Sequence, residues 1–402
     1  MASKAKTRGQ SAEAGRRGPD VRSDCWVSVT LADAGGLDVS FAGKVAGMYG
    51  RSTRDLIVQE MKALGVQHAK VEIEDAGALP FVVTARVEAA VRRLGLDVGE
   101  GFLPEMAEHA RYGTERERFR RSRLYLPGNE SKFMLNAGLH KPDGIILDLE
   151  DGVAPPEKDA ARTLVRNALR SIDFKGSERM VRINQGDRGL EDLEFIAAQN
   201  VHVVLIPKVE SAEQVIAVDK KIAELLAAKG IDRPVYLMPI VESALGAIRA
   251  YEIATASANT VALTIGLEDY TADIGVQRTD EGRESFWARC QVVNAARAAG
   301  VQPIDTVYSD VVSMEGLRQA VLEAKGLGFD GKGCIHPRQI AVIHEAFAPT
   351  EAELTKARRI VEAFEEAQKM GLGVVSLGSK MIDPPVVKRA QRIVKLAEAL
   401  DT

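Results

Sequence analysis

Eight short apolar runs that end in polar or charged residues, helical spacing between most of them, and a span of roughly 220 residues predict an α/β chain built on a closed barrel of eight parallel strands, the (β/α)8 or TIM barrel. The runs are 122–128, 144–151, 179–184, 202–210, 235–243, 260–269, 302–310 and 331–337, and stretches such as 158–169, 212–228 and 286–299 carry the helical spacing. An open, doubly wound sheet uses the same alternation, and periodicity does not separate the two; the length favours the barrel. In a barrel every strand delivers its carboxyl end to one mouth, so acids distant in sequence meet there.

A chain of 402 residues that is 46% apolar and 27% charged can hold a large core and two domains. Its formal net charge is -4, and the basic excess sits in residues 1–22, where Lys4, Lys6, Arg8, Arg16, Arg17 and Arg22 oppose Glu13 and Asp20. That stretch reads as a disordered, solvated tail. It lacks the apolar helical face of a mitochondrial presequence, and neither a secretory h-region nor a bilayer-spanning run is expected. Without interleaved aromatics in the tail, and with an acidic folded part, nucleic acid and membrane are not expected partners. Cys25, Cys290 and Cys334 are scattered outside any CxxC pattern, which suits a reducing cytoplasm rather than disulfides or zinc.

Ahead of the barrel, Val27 through Leu31, a turn at Ala34-Gly35-Gly36, and Leu37 through Phe41 alternate like a hairpin. A helix over 52–64 is expected, capped by Ser52 or Thr53 and closed by Gly65. The strand Val71 to Glu74, a turn around Asp75 to Gly77, the run Phe81-Val82-Val83-Thr84 and a helix through Leu94 complete a small α+β unit. Residues 99–120, rich in Glu and Arg, read as a solvated helical connector.

Within the barrel, Gly144 to Leu147 runs straight into Asp148-Leu149-Glu150-Asp151, and a buried strand that ends in acids points them at the mouth. Each acid has a plainer reading as a helix cap or an ion-pair partner, and Asp151 before Gly152 is the best case for a cap. The third run ends in Arg182-Ile183-Asn184, and the arginine offers a planar fork of donors suited to a carboxylate. Glu242 and Asp269 end neighbouring runs and offer two hard oxygen ligands, which fits Mg²⁺ with its other positions left to water and substrate. His336 closes the last run, with packing or capping as its alternative role. Neither a Ser/His/Asp constellation nor phosphate-cradling glycine spacing is present.

The ordered set Arg121-Ser122-Arg123-Leu124-Tyr125-Leu126-Pro127-Gly128-Asn129, Asp148 to Asp151, Val181-Arg182-Ile183-Asn184, Pro207-Lys208-Val209-Glu210, Glu242 to Gly246, Gly266 to Tyr270, Gly331 to Pro337 and Gly378 to Pro385 resembles the citrate lyase beta-subunit family, which includes malyl-CoA and citramalyl-CoA lyases. The resemblance spans more than two hundred residues. It implies a Mg²⁺-dependent barrel, with Mn²⁺ as the alternative ion, that cleaves a carbon–carbon bond in a 3-hydroxyacyl thioester. By match of position, Glu242 and Asp269 are implied as metal ligands, Arg182 as the grip on the substrate carboxylate, and Glu150 and Asp151 as acids around the metal's waters. Asp383 is implied as the acid/base group supplied to a neighbouring protomer, and Arg121 and Lys132 as contacts for thioester phosphates. A homotrimer or hexamer with a C-terminal helical lid, located in the cytoplasm, is also implied.

The small unit resembles the acyl carrier (gamma) subunit of citrate lyase. This gives an expected division of 1–22 tail, 23–98 carrier-like domain, 99–120 linker, 121–347 barrel and 348–402 helical extension. The resemblance implies a serine bearing a phosphoribosyl-dephospho-CoA arm soon after Thr30-Leu31, but Asp33 stands there, and a carboxylate cannot form that phosphodiester. Cleavage of a free CoA thioester such as citramalyl-CoA or malyl-CoA is one expectation. A fused carrier and lyase acting on a carrier-bound citryl thioester, with a separate alpha-type transferase, is the second. Thioester hydrolysis and a non-catalytic scaffold complete the alternatives.

Overall fold

The structure, a computed structural model, describes residues 9–43, 46–369, 375–377 and 380–400. Lys4, Lys6 and Arg8 of the basic tail, and Gly378-Ser379 of the last motif, lie outside the described residues.

The amino-terminal domain is a sheet of β1 (Ser11–Gly15), β2 (Cys25–Leu31), β3 (Leu37–Gly43) and β4 (Ala69–Asp75), covered by α1 (Ala46–Ala63) and α2 (Pro80–Arg93). The strand order is β1-β2-β4-β3, so β2 and β3 do not form the expected hairpin; β4 lies between them, antiparallel to β2 and parallel to β3. The reason is visible in the connecting loop. Ala32 donates its N–H to the His68 carbonyl, Gly36 donates to His68 Nδ1, and Ala69 donates back to the Gly36 carbonyl, so both loop ends are satisfied by the entrance to β4. Part of the predicted tail is also ordered. Ser11–Gly15 pairs with β2 and buries Ala14, while Arg17 lies over the Trp26 ring at 4.3 Å.

The helix expected over 52–64 begins earlier, at Ala46, and Gly65 ends it in a left-handed turn (φ +75) as expected. Phe81 to Thr84 form the first turns of α2, which Pro80 opens, and every residue from Phe81 to Val91 is buried. A helix enclosed on all sides shows no amphipathic stripe, which is why that run looked like an element of its own.

The barrel strands are β5 (Ser122–Pro127), β6 (Gly144–Asp148), β7 (Glu178–Arg182), β8 (Val203–Ile206), β9 (Tyr236–Val241), β10 (Ala262–Ile265), β11 (Gln302–Val307) and β12 (Gly331–Cys334). All are parallel, and β12 pairs with β5 through Lys332↔Ser122 and Cys334↔Leu124, which closes the ring and excludes the open sheet. Between and after them run α3 (Ser131–Met134), α4 (Lys158–Ser171), α5 (Gly186–Ile196), α6 (Ala212–Ala228), α7 (Ala244–Ile248), α8 (Ala250–Ala254), α9 (Leu267–Asp273), α10 (Phe286–Ala299), α11 (Met314–Leu327) and α12 (Arg338–Phe347). Local sequence sets several boundaries: Ser211 and Gln214 form a capping box on α6, and Gly300 and Gly328 stop α10 and α11 in left-handed conformations. Inside the ring Ile146, Met180, Val203, Leu205, Met238, Ile240, Ala262 and Ile304 form the inner core.

The connector over 99–120 is not the helix expected; its one helical segment is a short turn at Glu108–Ala110. Its charges tie it to the barrel end opposite the mouth: Arg120 pairs with Glu178 at 2.7 Å, both buried, and Arg116 donates to the carbonyls of Ala258 and Thr260. After the barrel, α13 (Glu351–Lys369), the two-stranded ribbon β13 (Val375–Leu377) and β14 (Lys380–Ile382), and α14 (Pro384–Leu400) follow. Ala357, Ile360, Ile382, Val387 and Ala390 form an apolar cluster of their own between these helices.

The two domains share a buried seam. Phe81, Val82 and Ala85 of α2 belong to the same apolar cluster as Ala161, Leu164, Val165 and Ala168 of α4. Around it, Asn167 Nδ2 donates to the Phe81 carbonyl at 3.1 Å, Arg166 pairs with Glu88, and Arg86, bound to Asp24 at 2.7 Å, donates to the Asn129 carbonyl at 3.0 Å.

Candidate active site

The carboxyl ends of the strands bring the predicted acids together. Asp148 ends β6, Glu150 and Asp151 follow it, Arg182 ends β7, Glu242 follows β9, and Glu268 and Asp269 form the first turn of α9 after β10. Asp148, Asp151, Arg182, Glu242, Glu268 and Asp269 line one cavity of about 440 Å³ at this face.

Arg182 is held on three sides. Its Nε and Nη2 each donate to Asp148 at 2.7 Å, its Nη1 lies 2.9 Å from Glu150, and its guanidinium lies 5.4 Å from the centre of the Tyr125 ring. Burial works against this charge, but the bonds and charge of Asp148 outweigh it and raise the Arg182 pKa. Asp148 is itself fixed by the N–H groups of Glu150 and Gly152, at 3.0 and 2.8 Å. A side chain at Gly152 would come within 2.5 Å of Asp148 Oδ2, so glycine is needed for that close approach.

Lys208 is the second organiser, and sequence reasoning quoted it in a motif without giving it a role. It sits two residues beyond β8 at φ +50, a conformation that costs a long side chain about 1–2 kcal/mol. In exchange its backbone N–H donates to Glu242 Oε2 at 3.0 Å while its ammonium lies 3.1 Å from Glu150, 3.5 Å from Asp151 and 3.5 Å from Asp269. Burial opposes the Lys208 charge, but Glu150 and the other acids raise its pKa. Burial would lift Glu150, yet Arg182 and hydrogen bonds from Asp151, Gln185 and Lys208 hold it down. Asp151 moves up, through burial and its link to Glu150.

Glu242 is the odd carboxylate. It is 6% exposed, and burial pushes its pKa up to about 8, with Asp269 and Glu150 adding to the rise and Arg182 opposing it. A carboxylate buried among other acids is relieved by a cation, and Asp269 lines the same cavity as Glu242. The residues therefore fit a divalent ion. Among the described residues no group of three or more His, Cys, Asp or Glu could hold a metal. Mg²⁺ takes one or two carboxylates and leaves its other positions to water and substrate, and Glu242 and Asp269 are carboxylates of the same cavity.

Other predicted positions fall elsewhere. Arg121 lies at the start of β5, at the barrel end opposite the mouth, where its Nε and Nη2 both donate to Asp143 at 2.9 Å; the structure makes it a clamp, not a phosphate contact. Lys132 stands on the mouth side in α3, half-exposed, 3.6 Å from Glu130 and over the Phe133 ring. His336 Nδ1 accepts the Arg338 N–H at 3.2 Å, at the entrance to α12. Asp383 precedes α14 and caps it by accepting the Val386 N–H at 3.2 Å; it does not line the mouth of its own barrel.

Residues 121–337 match the family model for HpcH/HpaI aldolase/citrate lyase, and residues 17–94 match that for the acyl carrier (ACP) described as the malonate decarboxylase delta subunit. Citrate lyase subunit beta of Haemophilus influenzae is 43% identical over 285 residues, which covers 70% of this chain and 98% of that protein. Mitochondrial citramalyl-CoA lyase of Mus musculus is 35% identical over 293 residues, 70% of this chain and 87% of that protein. The crystal structure of protein CitE from Mycobacterium tuberculosis in complex with magnesium, acetoacetate and coenzyme A is similar with a TM-score of 0.58 at 32% identity, covering 71% of this chain and 100% of that one.

Proposed function

The chain belongs to the HpcH/HpaI aldolase/citrate lyase family, and we propose that its barrel is a Mg²⁺-dependent carbon–carbon lyase that splits a 3-hydroxyacyl thioester into an acyl thioester and a 2-oxo acid. The observation that carries this reading is that Glu242 and Asp269, two carboxylates from the ends of neighbouring strands, line one cavity at the mouth, a donor pair of the kind Mg²⁺ takes. Glu242 and Asp269 would hold the ion; Mn²⁺ has the same oxygen preference and would be an acceptable substitute. When bound, the ion supplies a Lewis acid for the oxygen that becomes the oxo group.

The protein's own groups do the rest. Arg182, locked by Asp148, presents its guanidinium at the cavity wall to orient the substrate's carboxylate. Asp151 in the cavity wall and Glu150 next to it, both paired with Lys208, would accept hydrogen bonds from water carried by the ion. Asp383 of a neighbouring protomer takes the proton of the 3-hydroxyl; the carbon–carbon bond then breaks, its electrons pass to the thioester enolate, and that carbon regains a proton. This requires an oligomer, a trimer or a dimer of trimers. Lys132, on the rim, is the remaining candidate for thioester phosphates.

The thioester read by this site is a free CoA ester. Asp33 occupies the place of the expected attachment serine, and the carrier-like domain is anchored to α4 by a buried seam that a swinging carrier would have to break. The fused carrier with a prosthetic phosphoribosyl-dephospho-CoA and a partner alpha-type transferase is the second reading, supported by the match over residues 17–94. Among the described residues no helix is long and apolar enough to cross a membrane, in keeping with a cytoplasmic enzyme. Incubation with malyl-CoA, citramalyl-CoA and citryl-CoA should release acetyl-CoA and an oxo acid from at least one of them. Intact mass of the native protein should equal that of the bare chain. Hydrolysis to the hydroxy acid and free CoA would replace the lyase reading with a thioesterase.

A further inference from the structure

Strand β5 alternates about its axis: Leu124 and Leu126 face the helices, and Arg123 and Tyr125 face the barrel interior. An arginine at an inward position is costly, and Arg123 is 1% exposed. Its contacts do not repay that cost. Nη1 lies 3.1 Å from Met238 Sδ, Nη2 lies 3.3 Å from both Thr264 Oγ1 and the Asp305 carbonyl, and Nε has no partner among the described residues. No carboxylate pairs with it among the described residues. Other buried arginines are matched: Arg86 with Asp24, Arg120 with Glu178, Arg166 with Glu88, Arg182 with Asp148 and Arg289 with Asp305. Arg179 also lacks an acid, but its donors reach the carbonyls of Asn200, Ala110 and Tyr112.

Asp305, the nearest acid, is already held by Lys332 at 2.7 Å and Arg289 at 3.1 Å, and Arg289 also reaches Glu323 at 2.8 Å. Three cations thus meet two carboxylates beneath the acidic mouth, and Arg123 lines the same cavity as Glu242 and Asp269. Around Asp305 the cations outnumber the carboxylates, and Arg123 Nε is left without a protein partner among the described residues. Burial lowers the Arg123 pKa, as expected of a cation awaiting a counter-ion.

We propose that Arg123 is a specificity-determining residue that binds a second carboxylate on the hydroxy-acid part of the substrate, so that the enzyme selects thioesters whose released oxo acid is a dicarboxylate. The assignment rests on the lyase reading of this cavity. Citryl-CoA and citramalyl-CoA differ at the reacting carbon by a carboxymethyl against a methyl group, and their oxo acids are oxaloacetate and pyruvate, so they isolate the group in question.

The test is kcat/KM for both thioesters, and calorimetric binding of both oxo acids with Mg²⁺, on the full-length protein and on Arg123→Met. The wild-type protein should prefer citryl-CoA and oxaloacetate by roughly 10- to 100-fold, the range of a charge-assisted hydrogen bond. Arg123→Met should erase that preference while changing pyruvate affinity less than about threefold, and its Tm should not fall, because an unpaired buried charge is gone. Equal wild-type kcat/KM for the two thioesters overturns the role of Arg123 and leaves the lyase standing. A uniform loss for both in Arg123→Met overturns it too. No cleavage of either thioester and no oxo acid bound removes the lyase reading and this inference together. If the methionine variant does not fold, the wild-type comparison decides alone.

Discussion

Gly266 has an ordinary φ of -112, so its lack of a side chain serves space and not backbone freedom. A Cβ there would lie 2.5 Å from Glu242 Oε1 and 2.7 Å from its Cγ, which means that Glu242 can cross the start of the β10 loop because residue 266 is glycine. Gly266→Ala should therefore swing Glu242 away, weaken Mg²⁺ binding about tenfold or more in a calorimetric titration, and cost about 1–3 kcal/mol of stability through overpacking. An unchanged titration would separate Glu242 from the ion. That Glu242, Asp269, Arg182 and Asp151 would meet at one mouth was legible because each lies at or just past the end of an apolar run, and strand ends converge in a barrel. Lys208 and Arg123 were not legible as site residues. The role of Lys208 depends on a left-handed turn, and that of Arg123 on the unmatched charge of its surroundings, neither of which has a periodic signature. Arg121 was assigned by match of position alone, and it lies just before β5, at the barrel end opposite the mouth, in the grip of Asp143.

At the scale of elements, α1, α2 and α4 meet around an acidic pair. Glu60 and Glu88 are both fully buried, Arg166 and Arg92 pair with Glu88, and Glu60 Oε2 accepts the Phe102 N–H at 2.9 Å while its Oε1 is unpartnered among the described residues. Burial, then the charge of Glu88, push the Glu60 pKa up to about 8. A raised folded-state pKa means that the native protein holds this proton more tightly than the unfolded chain does. The stabilisation is complete below the unfolded value and is lost as pH rises through about 8. Glu60→Gln should flatten that decline and melt a few degrees higher than wild type at pH 9, with the difference shrinking through pH 6 and vanishing near pH 4. Parallel Tm curves for the two proteins would contradict the assignment. The same region shows why the small domain was harder to read than the barrel. Its helix α2 is buried against two layers and carries no stripe, and its central strand β4 is the last of its sheet in sequence, so local alternation could not reveal the order.

At the scale of the whole molecule, the carrier-like domain is fixed to the side of the barrel, and the helical extension packs on itself, with Asp383 capping α14 away from its own mouth. If Asp383 serves a neighbour, Glu242→Ala and Asp383→Asn should each be nearly inactive alone. Co-expressed in one oligomer, they should regain activity at about a quarter of the sites by random pairing. Absence of complementation would confine Asp383 to a structural cap. The central claim is that two carboxylates and a divalent ion drive the cleavage. It is tested most directly by the initial rate of oxo-acid release from the best thioester with Mg²⁺ and after its removal by a chelator. The account predicts a rate that collapses in chelator and returns when Mg²⁺ is restored; a rate that persists undiminished without a divalent ion would contradict it.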